Sequence, residues 1–359
     1  LAMAKTENID ELRRQIDEID DKLTRLVNDR IELAAQIGRN KAGGDRGIYR
    51  PEREAQIIQR LIEGNSGPLT PASIRAIFRE IISAARAAEG ELRVAALGPQ
   101  GTYSEQAARN VFGQQIAVVE AASIKDVFRM VESGDTQFGV VPIENSTEGG
   151  INATLDLLLD SPLTICNETE LRISHNLLCQ SLNGRPTRIA GHEQALAQCR
   201  DWLAENYSGV TQVAVSSTAE AARMASTDPQ LWAVASESAA QLYELDIAAR
   251  SIEDVRGNTT RFLVLSNEGV RLSGRDKTSL AVANSDRAGA LLSLLEPLAA
   301  AGISMTRIES RPMKSALWQY VFFIDIQGHI DDPHVAKTLD QLEENCAFFR
   351  VLGSYPRTS

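Results

Sequence analysis

Three stretches of the sequence gather side chains able to hold and activate a small organic acid. In Gly257-Asn258-Thr259-Thr260-Arg261-Phe262, an amide, two hydroxyls and a guanidinium lie between a polar run at 251–254 and an apolar one at 262–265. That pattern is a loop feeding a strand, with hydrogen-bond donors at the strand's mouth where an anion could dock. Threonines also start strands for no chemical reason, being β-branched. Pro142-Ile143-Glu144-Asn145-Ser146 ends a second apolar run and leads to Gly149-Gly150. Gly98-Pro99-Gln100-Gly101-Thr102-Tyr103-Ser104 follows a third and opens a helix. It lacks the Gly-Lys-Ser/Thr of a P-loop and the third glycine of a dinucleotide fingerprint. Amides and hydroxyls at a helix N-terminus suit a carboxylate equally well. His175 and His192 could act as acids, although structural or rim histidines fit the same positions.

A different chemistry is written in cations near the start of the chain. From about residue 8 to 40 there is no proline, and Gly38 is the only glycine. Leu12, Ile16, Ile19, Leu23, Leu26, Leu33 and Ile37 follow the alternating spacing of a long buried helix stripe. Arg30 interrupts that stripe and Lys41 continues its face. A buried cation is costly unless an anion meets it, while an arginine at a stripe's edge can reach water. Pro51-Glu52-Arg53-Glu54 starts a second helix, with proline first and acids in the opening turn. Thr70-Pro71 caps a third, whose stripe of Ile74, Phe78, Ile81 and Ala85 arrives at Glu89. Three packed helices could therefore point Arg30, Lys41, Arg53, Glu54 and Glu89 inward together.

The elements that must position these residues change character along the chain. Its 359 residues allow two or three domains. After the helices, short apolar runs alternate with helical segments from residue 94 to about 265. This predicts two α/β lobes joined by two crossings, a hinged, periplasmic-binding-protein-like cleft. Beyond a polar linker at 269–277, the order βαββαβ predicts a ferredoxin-like α+β domain. A net charge of −11 argues against sequence-independent nucleic-acid binding. Cys166, Cys179, Cys199 and Cys346 are scattered, without zinc-ligand spacing, so reduced thiols and no metal are expected. No apolar run approaches the ~20 residues of a membrane span, and no signal-type apolar segment opens the chain. A cytoplasmic protein without membrane contact is expected.

Residues from about 5 to 90 resemble an all-helical chorismate mutase. The matching residues are Arg13 in Leu-Arg-Arg-Gln-Ile, Arg30 in Asn-Asp-Arg-Ile-Glu-Leu, Lys41, Arg53 and Glu54 in Pro-Glu-Arg-Glu, and Glu89. The resemblance implies an intertwined dimer that rearranges chorismate to prephenate. Arg13 and Arg30 are about 25 Å apart along one helix, at about 1.5 Å per residue, too far to clamp one small ligand, so Arg13 is expected from a second copy of the chain. Arg13, Arg30, Arg53 and Glu54 would bind substrate, and Lys41 with Glu89 would stabilise charge on the breaking ether oxygen. Two positions depart from relatives: Arg50 where an Asp is frequent, and Glu89 where some carry Gln. Glu89 can donate only when protonated, so mutase activity is expected to fall as it ionises and Glu89→Gln to flatten that profile.

The central motifs, with His175-Asn176-Leu177-Leu178 and the stretch from Gln194 to Cys199, resemble prephenate dehydratase. This implies that Thr260 assists departure of the ring hydroxyl, with Ser104, Glu144, Asn145, Gln198 and Arg261 in the ligand site. Gly191 stands where many relatives have serine. Gly289-Ala290-Leu291-Leu292 and Glu309-Ser310-Arg311-Pro312 resemble a phenylalanine-binding ACT regulatory domain, implying a feedback site on those residues between paired domains. The three resemblances imply domains at 1–90, 91–270 and 275–359. They also imply a homodimer or higher homo-oligomer, the small molecules chorismate, prephenate and phenylalanine as ligands, and no cofactor. A dehydratase acting on arogenate is a close rival. A ligand sensor with a helical dimeriser is another, and it would need neither Thr260 nor the inward cations.

Overall fold

A computed structural model describes residues 9–40, 49–284, 288–312 and 320–357. Helices α1 (Ile9–Asn40), α2 (Pro51–Glu63) and α3 (Pro71–Glu89) form the N-terminal part. Proline at the first position and Glu52 and Glu54 in the first turn start α2. The Thr70 hydroxyl caps α3 by accepting from the Ser73 amide at 3.1 Å. The C-terminal half of α1 packs on α3, and its half-buried positions are Val27, Arg30, Ile31, Ala34, Ala35 and Gly38. Gly38 permits close approach: a Cβ there would lie 3.0 Å from Cγ of Glu89.

Within the chain the apolar stripe of α1 stays uncovered. Leu12, Ile16, Ile19, Leu23, Leu26, Leu33 and Ile37 are between 39% and 64% exposed. The face that α3 covers is a different one, and α2 and α3 are too short to sheathe a helix of 32 residues, roughly 48 Å long. Among the described residues, no helix is long and apolar enough to cross a membrane.

The middle of the chain builds two sheets. The first lobe runs β1 (Arg93–Leu97), α4 (Tyr103–Phe112), β2 (Ala117–Ala121), α5 (Ile124–Glu132), β3 (Phe138–Asn145), β4 (Gly149–Gly150), α6 (Asn152–Asp160) and β5 (Thr164–Arg172). The second runs β6 (Asn176–Cys179), β7 (Arg188–His192), α7 (Glu193–Gln198), α8 (Arg200–Asn206), β8 (Thr211–Val215), α9 (Thr218–Ala225), β9 (Leu231–Ala235), α10 (Glu237–Leu242) and β10 (Asp246–Ala249). The chain then returns to the first sheet as β11 (Thr259–Ser266). Strand order is β2-β1-β3-β11-β5, with β4 on β3, and β10-β6-β9-β7-β8 in the second sheet. Two crossings, β5 to β6 and β10 to β11, therefore join the lobes. The continuous apolar burial of β1, β3 and β9 follows from helices covering both faces.

The C-terminal part is β12 (Asp276–Ala283), α11 (Ala290–Ala300), β13 (Met305–Pro312), β14 (Tyr320–Gln327), α12 (Pro333–Glu344) and β15 (Phe348–Pro356), with antiparallel order β13-β14-β12-β15. Alternation splits its residues between two cores. Leu280, Val282, Ile324 and Ile326 pack on α11 and α12. Ala281, Ala283, Val321, Phe323 and Tyr355 join the core of the first lobe. One sheet face is thus docked on the first lobe. Gly353 makes this possible, since a Cβ there would lie 2.2 Å from the Ile165 carbonyl oxygen.

Candidate active site

A cavity of about 340 Å³ lies between the two lobes. Thr260, near the start of β11, sits directly across from Asn145, the last residue of β3. Both side chains are buried, and Asn145 Nδ2 donates to Thr260 Oγ1 at 2.8 Å. Asn145 Oδ1 in turn accepts from the Thr147 amide at 3.0 Å, which fixes the amide's orientation. The lone pair of Thr260 is thereby engaged while its proton is free to point into the cavity. Ser104, in the first turn of α4, lines the same cavity, as do His192 and Gln194.

The opposite wall is a polar relay. Gln198 Oε1 faces His175 Nε2 at 3.0 Å and accepts from Asn258 Nδ2 at 3.3 Å. Its Nε2 is buried, without a partner among the described residues, leaving one donor for a ligand. The Tyr103 hydroxyl donates to the Ser174 carbonyl at 2.6 Å and stands 3.4 Å from His175 Nδ1. Glu253 accepts from the His175 amide at 3.0 Å. Burial lowers the pKa of His175, against opposing pulls from Gln198 and Glu253. The ring is therefore neutral near pH 7, a structural partner of Gln198 rather than a cationic acid. Gly191 leaves no room for a larger residue without movement, as a Cβ would lie 3.0 Å from Leu196 and 3.3 Å from Val234.

Glu144 and Arg261, expected in this site, are turned away from it. They pair across β3 and β11, one step from Asn145 and Thr260, and alternation sends them to the reverse face. There Arg261 meets Glu168 at 2.6 Å and Asp325 at 2.7 Å, while Glu144 meets Arg307 at 2.7 Å. Burial works against the charge on Arg261, but Tyr355, Asp325 and Glu168 outweigh it and raise its pKa. Motif adjacency had grouped residues that a strand separates. Tyr103 and Ser216-Ser217-Thr218, which also line the cavity, were not singled out. The latter repeats the signal of Thr102-Tyr103-Ser104, hydroxyls at a strand-to-helix turn.

The expected mutase residues are only partly assembled. Arg30 and Glu54 feel each other's charge, and Glu89 lies against Gly38. Arg53 is exposed at the start of α2, and Lys41 lies outside the described residues. Arg13 is exposed and pairs with Asp10 at 3.5 Å. Desolvation raises the pKa of Glu54 to about 7, against opposing pulls from Arg86 and Arg30. Arg86, absent from the sequence reading, is buried beneath this group, 3.5 Å from Glu54 and 5.1 Å from the Tyr49 ring centre, and donates to the Phe112 carbonyl.

In the C-terminal part, Gly289 takes a left-handed φ of 81° just before Ala290 and Leu291 begin α11. Glu309, Ser310, Arg311 and Pro312 lie on β13, at the edge of the sheet. Arg311 pairs with Asp156 of α6 at 3.1 Å, and Glu309 abuts Gly150. Both side chains therefore face the neighbouring lobe.

A three-part enzyme is defined by this arrangement: a helical unit with inward charges, a hydroxyl-and-amide cleft between lobes, and a regulatory sheet docked behind it. Residues 12–90 match chorismate mutase type II, 94–270 prephenate dehydratase and 278–344 the ACT domain. The bifunctional chorismate mutase/prephenate dehydratase of Neisseria gonorrhoeae is 47% identical, over 98% of this chain and 99% of that protein. The prephenate dehydratase of Arthrobacter aurescens, solved in complex with L-Phe, is 35% identical with a TM-score of 0.67, covering 74% of this chain and 90% of that one. GqqA, described as a novel type of quorum quenching acylase, is 31% identical with a TM-score of 0.65, covering 74% of this chain and 98% of that one. The chain belongs to the bifunctional chorismate mutase/prephenate dehydratase family.

Proposed function

We propose that the helical part rearranges chorismate to prephenate and that the interlobe cleft converts prephenate to phenylpyruvate, with phenylalanine as feedback inhibitor. The observation that carries the second step is the Asn145–Thr260 hydrogen bond at the cavity wall. In that step the ring carboxylate leaves as carbon dioxide. Its bonding electrons flow into the ring, the ring C–O bond breaks as aromaticity is gained, and the departing hydroxide takes up a proton from solvent to leave as water. Thr260 is far too weak an acid for a harder elimination, but its proton, held by the engaged Oγ1, can hydrogen-bond the leaving oxygen in the cleft. Ser104 and the free Nε2 of Gln198 supply further donors to the substrate.

The mutase reaction transfers no proton, so it needs positioned charge rather than a base. Arg30 and Glu54 supply part of it; Arg13, Lys41, Arg53 and Glu89 complete the set in the assembled enzyme. The distance from Arg13 to Arg30 and the uncovered stripe of α1 both support a homodimer in which each site takes Arg13 from the partner copy. We assign the domains to 1–90, 91–270 and 275–359 and place the protein in the cytoplasm. The effector site draws on Gly289, Ala290, Leu291 and Ser310, with Glu309, Arg311 and Pro312 adjoining. Turnover of prephenate and arogenate, measured separately on the purified chain, tests the substrate. Faster turnover of prephenate is expected, and a preference for arogenate overturns the assignment.

A further inference from the structure

Behind the proposed catalytic pair, the two domains meet through a square of opposite charges. Glu144 and Arg261 are cross-strand neighbours on β3 and β11, and Arg307 and Asp325 are cross-strand neighbours on β13 and β14. Each carboxylate faces the other pair's guanidinium: Glu144 Oε2 to Arg307 Nε at 2.7 Å, and Asp325 Oδ2 to Arg261 Nη1 at 2.7 Å. Arg261, Arg307 and Asp325 are little exposed while Glu144 is partly open to solvent, and further bonds brace the square. Glu168 binds both Arg261 and Lys277, Ser279 donates to Asp325 at 2.6 Å, and Arg307 also pairs with Glu309. Glu309 begins the Glu-Ser-Arg-Pro stretch in which the effector site is placed. The next residues along the same two strands, Asn145 and Thr260, face the cavity.

We infer that Arg307 and Asp325 are positioning residues for the dehydratase, holding the Asn145–Thr260 pair through Glu144 and Arg261 and carrying the state of the regulatory domain to the cleft. The geometry leaves little freedom between the two faces. A shift of β13 moves Arg307, Arg307 pulls Glu144, and Glu144 is bonded through one peptide to Asn145. A packed interface of this kind shifts between discrete arrangements rather than deforming smoothly. The partner of this coupling is phenylalanine, so the inference rests on the function proposed above.

The test uses the full-length protein with three variants: Arg307→Gln, which removes the charge; Arg307→Lys, which keeps it; and Asp325→Asn, nearly isosteric, which breaks the other side of the square. Two quantities are measured for each: phenylalanine binding by calorimetry, and phenylalanine inhibition of prephenate dehydration. If the square carries the coupling, Arg307→Gln and Asp325→Asn bind phenylalanine within about threefold of wild type but need at least about tenfold more for half inhibition. Arg307→Lys recovers most of that loss. Binding and inhibition weakening together would make these residues part of the effector site or of the scaffold and overturn the inference, as would unchanged inhibition. Should Arg307→Gln fail to fold, Asp325→Asn decides alone. A wild-type chain that dehydrates prephenate yet ignores phenylalanine also overturns the inference, while leaving the dehydratase standing.

Discussion

Replacing Thr260 with valine keeps the side chain's shape and deletes one hydroxyl. Two consequences can be separated. Asn145 Nδ2 loses the acceptor that it reaches at 2.8 Å. A buried donor left unsatisfied costs about 1–3 kcal/mol, and the lower end applies here because Asn145 borders a cavity that water can enter. The chemical consequence is larger. Removing one preorganised donor from a developing oxyanion costs about 10²–10³ in kcat, about 2.7–4 kcal/mol. The assay is phenylpyruvate formation from prephenate, with kcat and KM resolved separately. Mutase turnover on the same sample reports that the protein is folded, since the two reactions use different parts of the chain. Thr260→Val should lose most of its kcat with little change in KM, and Thr260→Ser, which restores the hydroxyl, should recover most of the rate. A kcat for Thr260→Val within about threefold of wild type would refute the role of the hydroxyl.

Three further outcomes follow from other parts of the molecule. Glu54, with its pKa raised to about 7, holds a proton in the folded state to higher pH than in the unfolded one. Relative to Glu54→Gln, wild type should therefore lose stability as pH rises from about 4.5 through 7, by up to roughly 3 kcal/mol at about 1.4 kcal/mol per unit. Parallel pH–stability curves from urea titrations would contradict this. Gly353→Ala should lower Tm, because its Cβ would meet backbone at 2.2 Å and overpacking costs about 1–3 kcal/mol. Gly184→Ala, with its nearest neighbour at 4.0 Å, should not. Arg13→Ala and Arg30→Ala should each abolish mutase activity, yet their mixture should regain about a quarter of it, since half the dimers are mixed and each mixed dimer keeps one intact site. No recovery after subunit exchange would place Arg13 outside the site.

Much of this was legible in the sequence because local chemistry and periodicity carried it. Pro51 and Thr70 announce the starts of α2 and α3, and the switch from helical spacing to short apolar runs at residue 94 marks the first sheet. Thr260 and Asn145 could be nominated from their motifs, and they meet across neighbouring strands. The same motifs misled at Glu144 and Arg261. Adjacent residues in a strand point to opposite faces, so a contiguous motif cannot be a single site; placing Thr260 in the cleft already required Arg261 to leave it. The stripe of α1 is legible in the sequence as apolar, and within the chain it stays uncovered. Its length, set against the shorter α2 and α3, is the physical reason. Arg86 and Glu253 gave no usable signal, because their partners at Phe112 and His175 are tens of residues away along the chain.

The most direct test is to give the purified protein chorismate alone and follow prephenate and phenylpyruvate together, with and without phenylalanine. Phenylpyruvate should form after transient prephenate, and phenylalanine should suppress it. Prephenate that accumulates without phenylpyruvate would contradict the Thr260 cleft as a prephenate dehydratase, and unchanged chorismate would contradict the helical part as a mutase.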